Sequence, residues 1–243
     1  LVYRLSWWLW RCFGQLSTHS STAGGGRLSP ATYAGFYEAA EWLQEADVAN
    51  IVIASVSIEG TRPILWNAFG PWAIPASGKR ERSGVAGNDP EEWRRTVLVT
   101  DDRQLYVRPT YIFSCLVAGA KFTPRRRGSL QPWLAATLLI LDRIVLIDRF
   151  LPDPLTTDES QPVYLDVQSV VNPGTRARNI RYRVAASEGW RTDWRMSWDK
   201  TVVSSQEVHA ATIDAGRLVG LGNGRGIGLG RFQVVEFETH NEA

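Results

Sequence analysis

Only two of the 243 residues are cysteine, Cys12 and Cys115, and only three are histidine. Two thiols cannot build a disulfide framework, and no Cys/His grouping has the spacing of a structural zinc site. So little cysteine fits a reducing interior, and the expected location is cytoplasmic. Long apolar runs are also missing: Leu134–Ile147 is interrupted by Asp142 and Arg143 and falls short of the roughly 20 residues a bilayer requires. No membrane span or membrane partner is expected. The aromatic run Leu1–Trp10, flanked by Arg4 and Arg11, lacks a small-residue cleavage pattern; Ser17–Ser21 and Gly24–Gly26 follow it instead. Net charge is close to nil, 27 − 25 = +2. With 44% hydrophobic and 21% charged residues the composition is that of a folded chain, which excludes a mainly disordered or collagenous one.

What is abundant is tryptophan, 11 residues, and glycine, 21 residues. Two regions separate by pattern. Residues 1–48 read as an amino-terminal extension with one short helix, opened by Ser29-Pro30 and carrying Tyr33, Phe36, Tyr37, Ala40 and Leu43 at helical spacing. Because the chain opens on Leu1, this segment reads equally as a fragment boundary or an over-extended reading frame. Residues 49–243 read as a single α+β domain. Alternation of Val52, Ala54, Val56 and Ile58 with polar residues predicts a first strand ending at Gly60. A Pro- and Gly-rich loop is expected from Phe69 to Asn88. A short helix follows Pro90, short paired strands lie at Val97–Val99 and Leu105–Val107, and a helix runs from Pro109 to Lys121. Leu134–Ile147 has no decisive period and reads as strand, two strands or helix. Three strands are predicted over Val163–Val171, Arg178–Ala186 and Trp190–Asp199. The last sets Trp190, Thr192, Trp194, Met196 and Trp198 on one face, read as core, against Arg191, Asp193, Arg195, Ser197 and Asp199 on the other. Ser204 or Ser205 with Glu207 opens a helix through Leu218, and Phe232–Phe237 is a final strand. This order of elements predicts a ferredoxin-like (RRM-like) antiparallel sheet with helices on one face and a glycine-rich loop before the last strand.

Between that helix and that strand, glycines occupy every second position from Gly220 to Gly230. Such a run offers nothing to a core and marks backbone that turns sharply or approaches something closely. It matches neither a phosphate-binding loop nor a dinucleotide fingerprint, and it joins helix to strand where both of those join strand to helix. Exposed N–H groups beside Arg225 and Arg231 could hold a sugar-phosphate chain; a solvated turn is the plain alternative. Positive charge is concentrated over residues 172–200. Arg176, Arg178, Arg181, Arg183, Arg191, Arg195 and Lys200 stand against Glu188, Asp193 and Asp199 there, a local excess of 7 − 3 = +4. Arg125, Arg126 and Arg127 form a second cluster. Either cluster suits phosphate binding, with Tyr182 able to stack on a base, or is the wet and ion-paired face of the sheet.

The stretch Gly222-Asn223-Gly224-Arg225-Gly226-Ile227-Gly228-Leu229-Gly230-Arg231-Phe232 resembles the glycine-rich loop of the RAMP superfamily, the RNA-binding proteins of CRISPR effector complexes. There too the loop lies between the last helix and last strand of a ferredoxin-like domain. Separately, Ile58-Glu59-Gly60-Thr61-Arg62-Pro63-Ile64-Leu65-Trp66-Asn67 and Ala118-Gly119-Ala120-Lys121 are similar to a set of poorly characterised phage and bacterial proteins. Trp66 stands where those often carry His or Met. The resemblance implies binding of RNA or single-stranded nucleic acid through Gly222, Gly224, Arg225, Gly226, Gly228, Gly230 and Arg231. Arg176, Arg178, Arg181, Arg183, Lys121, Arg125, Arg126 and Arg127 would supply further basic contacts. Partners would be RNA, copies of the chain itself or other subunits of a complex.

Catalytic chemistry has little to rest on. His209 is the one histidine inside the domain, with His19 and His240 in the flanks, and it is the sole candidate for metal-independent RNA cleavage. Asp101, Asp102, Asp153, Asp158 and Glu159 sit beside turn residues and read as solvated loop acids. Neither a metal nor a cofactor is expected. The expected function is therefore non-catalytic nucleic-acid binding, with homo-oligomeric assembly of a phage or mobile-element protein, and endoribonuclease activity, as the rival readings.

Overall fold

The computed structural model describes residues 50–68, 90–126, 128–171, 174, 176 and 178–240. The helix expected before residue 48, the whole loop expected over 69–88, and Arg127 lie outside them. Within the described residues the architecture is mixed α and β, with two antiparallel sheets and helices packed on the larger one.

The larger sheet is built on β1 (Ile51–Gly60) and β8 (Arg191–Asp199), which pair antiparallel along their whole length. Period-two alternation sends Val52, Ala54, Val56 and Ile58 to the same face as Thr192, Trp194, Met196 and Trp198. Register sets Val56 opposite Trp194, Ala54 opposite Met196 and Val52 opposite Trp198. All are buried. Burying the two indoles of β8, Trp194 and Trp198, together with that of Trp190 just before it is worth several kcal/mol, at roughly 25 cal/mol per Å² of apolar surface. The tryptophan stripe is thus core, as its pattern implies. Beyond β1 lies β9 (Phe232–His240). On the other side β8 is flanked by the two-residue β4 (Leu139–Ile140) and by β5 (Val145–Phe150), with β3 (Gln104–Val107) outermost. The ambiguous run Leu134–Ile147 therefore contains the end of a helix and parts of two strands.

Four α-helices are described: α1 (Trp93–Thr96), α2 (Pro109–Gly119), α3 (Gln131–Thr137) and α4 (Ser205–Asp214). Helix α2 starts on proline, whose fixed φ suits the first turn, and buries Ile112, Cys115, Leu116 and Gly119. Ser204 caps α4 in a reciprocal box: its hydroxyl accepts from the Glu207 N–H while the Glu207 carboxylate accepts from the Ser204 N–H. A π-helical turn, Ala215–Val219, prolongs α4. Gly119 is where α2 meets that turn, since a Cβ there would stand 2.6 Å from Ala215 Cα. This accounts structurally for the Ala118-Gly119-Ala120 stretch.

The second sheet has the order β2-β7-β6. Here β6 (Val163–Val171) and β7 (Arg178–Ala186) form a long hairpin, and β2 (Ile64–Leu65) pairs with its base through Ile64 opposite Ala186 and Leu65 opposite Ala185.

Candidate nucleic-acid interface

Residues 61–67 leave β1 just after Gly60, where any side chain would collide with Trp190, its Cβ only 2.0 Å from Trp190 Nε1. Trp190 fixes the turn by donating its indole N–H to the Arg62 carbonyl at 2.9 Å. The segment then runs alongside the glycine loop. Thr61 and Arg62 donate to the Arg231 carbonyl at 2.8 and 3.2 Å, Gly230 donates to Pro63 at 2.7 Å and Asn223 donates to Leu65 at 2.8 Å. The two stretches that each carry a resemblance, 58–67 and 222–232, are thus neighbours in space.

The loop is a built structure. Gly220, Gly222, Gly224, Gly228 and Gly230 all have positive φ, between 69° and 90°. At Gly230 a Cβ would stand 1.8 Å from the Leu221 carbonyl oxygen, and at Gly222 2.6 Å from that of Leu65. Gly226 has neither a positive φ nor a neighbour within 4 Å. Leu229 seats the loop by packing on Leu65, Tyr164 and Ala185. Most loop N–H groups are used internally: Gly220, Leu221, Asn223, Ile227, Gly228, Leu229 and Gly230 all donate within the protein. Those of Gly222, Gly224, Arg225 and Gly226 have no protein acceptor among the described residues.

Between the loop and α2 lies a cleft of about 260 Å³ lined by Leu65, Asn67, Tyr111, Ser114, Gly222, Asn223 and Arg225. Arg225 is exposed at its edge. At the base of the loop Cys115 is fully buried and donates its thiol to the Gly220 carbonyl at 3.1 Å. Burial pushes its pKa up to about 12, against the smaller opposing pull of the Arg225 and Arg231 charges. Such a thiol is a structural donor and not a nucleophile. Arg231 keeps one buried nitrogen, Nη1, without a partner among the described residues. Trp66 is equally structural, buried with its N–H donated to the Tyr106 carbonyl at 2.8 Å.

The other basic candidates divide by environment. Arg183 and Arg181 occupy the same face of β7 as Ala185, and hence the face on which Leu229 sits. Arg183 lies opposite Asp166, and Arg181 opposite Gln168, which donates to Asp166 at 2.9 Å. Partial burial lowers the Arg183 pKa and raises that of Asp166, each opposed by the charge of the other. Arg181 also pairs with Glu92. Arg178 and Arg176 lie further out, both exposed. Tyr182 does not interleave with them, because alternation turns it to the opposite face, where it packs against the main core. Lys121 and Arg126 lie beyond the end of α2. Arg125 there braces the fold, pairing with Glu207 at 3.1 Å, donating to the Val202 carbonyl at 3.3 Å and lying over Trp133 at 5.1 Å.

On the open face of the larger sheet the arginines are matched by acids. Arg191 pairs with Glu59 at 3.2 Å, and its hydrogen bond holds that carboxyl below its usual range; Arg195 pairs with Asp142 at 3.3 Å. His209 stacks on Phe237 with ring centroids 4.5 Å apart. Among the described residues no group of three His, Cys, Asp or Glu side chains is placed to hold a metal ion, and no helix is long and apolar enough to cross a membrane.

Asn67, Tyr111, Ser114 and Asn223 were not among the sequence candidates. Tyr111 and Ser114, polar residues one turn apart on a largely apolar helix, were the readable signal.

No protein-family model matches the chain. No curated protein matches its sequence. Among solved structures it is similar to a chain in "Cryo-EM structure of the Type III-B Cmr-beta bound to cognate target RNA". The TM-score is 0.45 with 10% identity, over 89% of this chain and 69% of that one. Neither the score nor the identity assigns a family.

Proposed function

We propose that this chain binds RNA or single-stranded nucleic acid without cleaving it, as a RAMP-like subunit of an RNA-guided complex. The observation that carries the reading is the meeting of the 61–67 segment with the glycine loop. Together they present unpaired N–H groups at Gly222, Gly224, Arg225 and Gly226 beside the Arg225 side chain. Backbone donors and a guanidinium without an ion-pair partner suit phosphate oxygens. Arg183 and Arg181, on the face of the hairpin that continues from Leu229, would extend the track along the strand. Arg181 is four residues beyond Ala185, about 13 Å at strand spacing. A ferredoxin-like reading of the fold is supported by the strand order β9-β1-β8-β5, with α2 between β1 and β5 and α4 between β8 and β9; the β6–β7 hairpin is then an insertion.

The test is purification at low salt, followed by ultraviolet absorbance ratio and extraction of bound nucleic acid, for the native chain and for Arg225→Ala/Arg231→Ala. Co-purifying RNA that is lost in the variant supports the reading. Clean protein that also fails to bind added RNA overturns it.

One observation favours assembly as a second reading. Strand β9 is nine residues long and forms an edge of the larger sheet among the described residues, with Val235 60% exposed. An edge of this length is a template for strand addition. A nucleic-acid-free closed oligomer by mass measurement in solution would support it, and a monomer would remove it.

A further inference from the structure

The cleft beside the loop has a chemistry that backbone gripping alone does not use. Five of its lining residues, Asn67, Tyr111, Ser114, Asn223 and Arg225, carry side-chain polar groups with no hydrogen-bond or ion-pair partner among the described residues. They come from three separate parts of the chain. Tyr111 and Ser114 are one turn apart on α2, Asn223 and Arg225 are on the loop, and Asn67 follows β2. Polar groups that converge on a concave site without satisfying one another are available to a ligand.

The set also specifies which ligand. Two carboxamides each offer a donor pair and an acceptor, the complement of a nucleobase edge. A tyrosine ring adds a face for stacking, Leu65 contributes an apolar wall, and Arg225 with the free N–H groups of Gly224 and Gly226 demands an anion. An acidic peptide would satisfy the charge and leave the carboxamides and the ring without a planar partner. A cavity of about 260 Å³ lies just under the roughly 300–1,000 Å³ of drug-sized ligand sites, so it admits one residue of a strand and no helical segment.

We propose that this cleft receives a single unpaired nucleotide of the bound strand, base inward against Tyr111, Asn67 and Asn223 and phosphate at Arg225, and so gives the chain a base preference. The inference rests on the RNA-binding reading and adds a site where sequence is read.

Fluorescence anisotropy at fixed salt with homopolymeric A, C and U strands tests it, on the native chain, Asn67→Ala/Asn223→Ala and Arg225→Ala. Neither asparagine has a positive φ and neither side chain holds a neighbour, so the double variant is compatible with the fold. Should its thermal melt change, Tyr111→Phe/Ser114→Ala on the cleft side of α2 replaces it. The native chain is expected to prefer one homopolymer by roughly tenfold, and the double variant to bring all three within about twofold of one another. Arg225→Ala is expected to weaken all three alike. Equal binding of the three by the native chain, unchanged in the variant, overturns the base site and leaves the RNA reading standing. Failure to bind any strand overturns both. AMP, CMP or UMP binding as tightly as the strands overturns the strand source in favour of a free nucleotide. Polyglutamate displacing a strand as well as unlabelled RNA does overturns the nucleotide chemistry.

Discussion

Six glycines in strict alternation look equivalent on paper, yet the surroundings of each make different demands. Gly226 has an ordinary φ and open space around it, Gly228 has φ 90° with open space, and Gly230 combines φ 69° with a Cβ position 1.8 Å from the Leu221 carbonyl. Alanine at Gly226 is therefore expected to cost under about 0.5 kcal/mol, a surface change. At Gly228 it costs the left-handed penalty of about 1–2 kcal/mol. At Gly230 strain and collision together exceed about 3 kcal/mol. Denaturant midpoints of the three variants check this order, and Gly226→Ala then reports on ligand binding without a change of fold. The presence of a special backbone was legible from composition; which glycines are required was not, because that depends on Leu221 and Leu65 standing opposite. Asp166 shows the same dependence on surroundings. Unfolded, its carboxyl titrates near the ordinary value of about 3.9. Folded, burial raises the pKa, and the Arg183 charge and the Gln168 hydrogen bond pull against the rise. The folded chain holds this proton more tightly, so the stability Asp166 contributes is full below the unfolded value and is lost as pH climbs through the raised one. The melting temperature of the native chain minus that of Asp166→Asn is expected to fall across this window. Arg183→Gln should extend the window upward and deepen the loss.

Elements differ in how much of their stability they own. Strands β6, β7 and β8 and the start of α4 were legible because long alternation and the Ser204–Glu207 box are local signals. Strands β2 and β4 have two residues each and exist through partners, Ile64 and Leu65 on β7, Leu139 and Ile140 on β8. Nothing in the run 134–147 encodes that pairing, which is why its period was uninformative. Cross-element bracing also separates two arginines that composition treats alike. Arg125 ties α4 to α3 through Glu207 and Trp133 and to the turn before α4 through Val202, whereas Arg225 has no such partner among the described residues. Arg125→Ala is expected to destabilise by about 1–2 kcal/mol, the scale of a charged hydrogen bond with a cation–π contact. At about 2–4 °C per kcal/mol for a domain of this size, calorimetry resolves the loss. Arg225→Ala is expected to melt with the native chain. If it melts lower than Arg125→Ala, Arg225 is structural and its place in the proposed phosphate track fails.

At the scale of the whole molecule, a net charge of +2 supplies almost no long-range attraction for a polyanion, so any affinity must come from how the charges are distributed. The open sheet face cancels locally through Arg191 with Glu59 and Arg195 with Asp142, while Arg225 and Arg231 at the loop have no ion-pair partner among the described residues. Counterion release makes this measurable. For single strands, log Kobs against log salt falls with a slope of about −0.7 per neutralised phosphate. Removing both loop charges with Arg225→Ala/Arg231→Ala is expected to flatten the slope by about 1.4 if each engages one phosphate. Glu59→Gln/Arg191→Gln deletes a matched pair without altering net charge and is expected to leave the slope as it was. Were the second variant to flatten the slope as much as the first, the strand would lie on the open sheet. The glycine loop would then be a turn that shapes the fold, with no part in gripping the chain of phosphates.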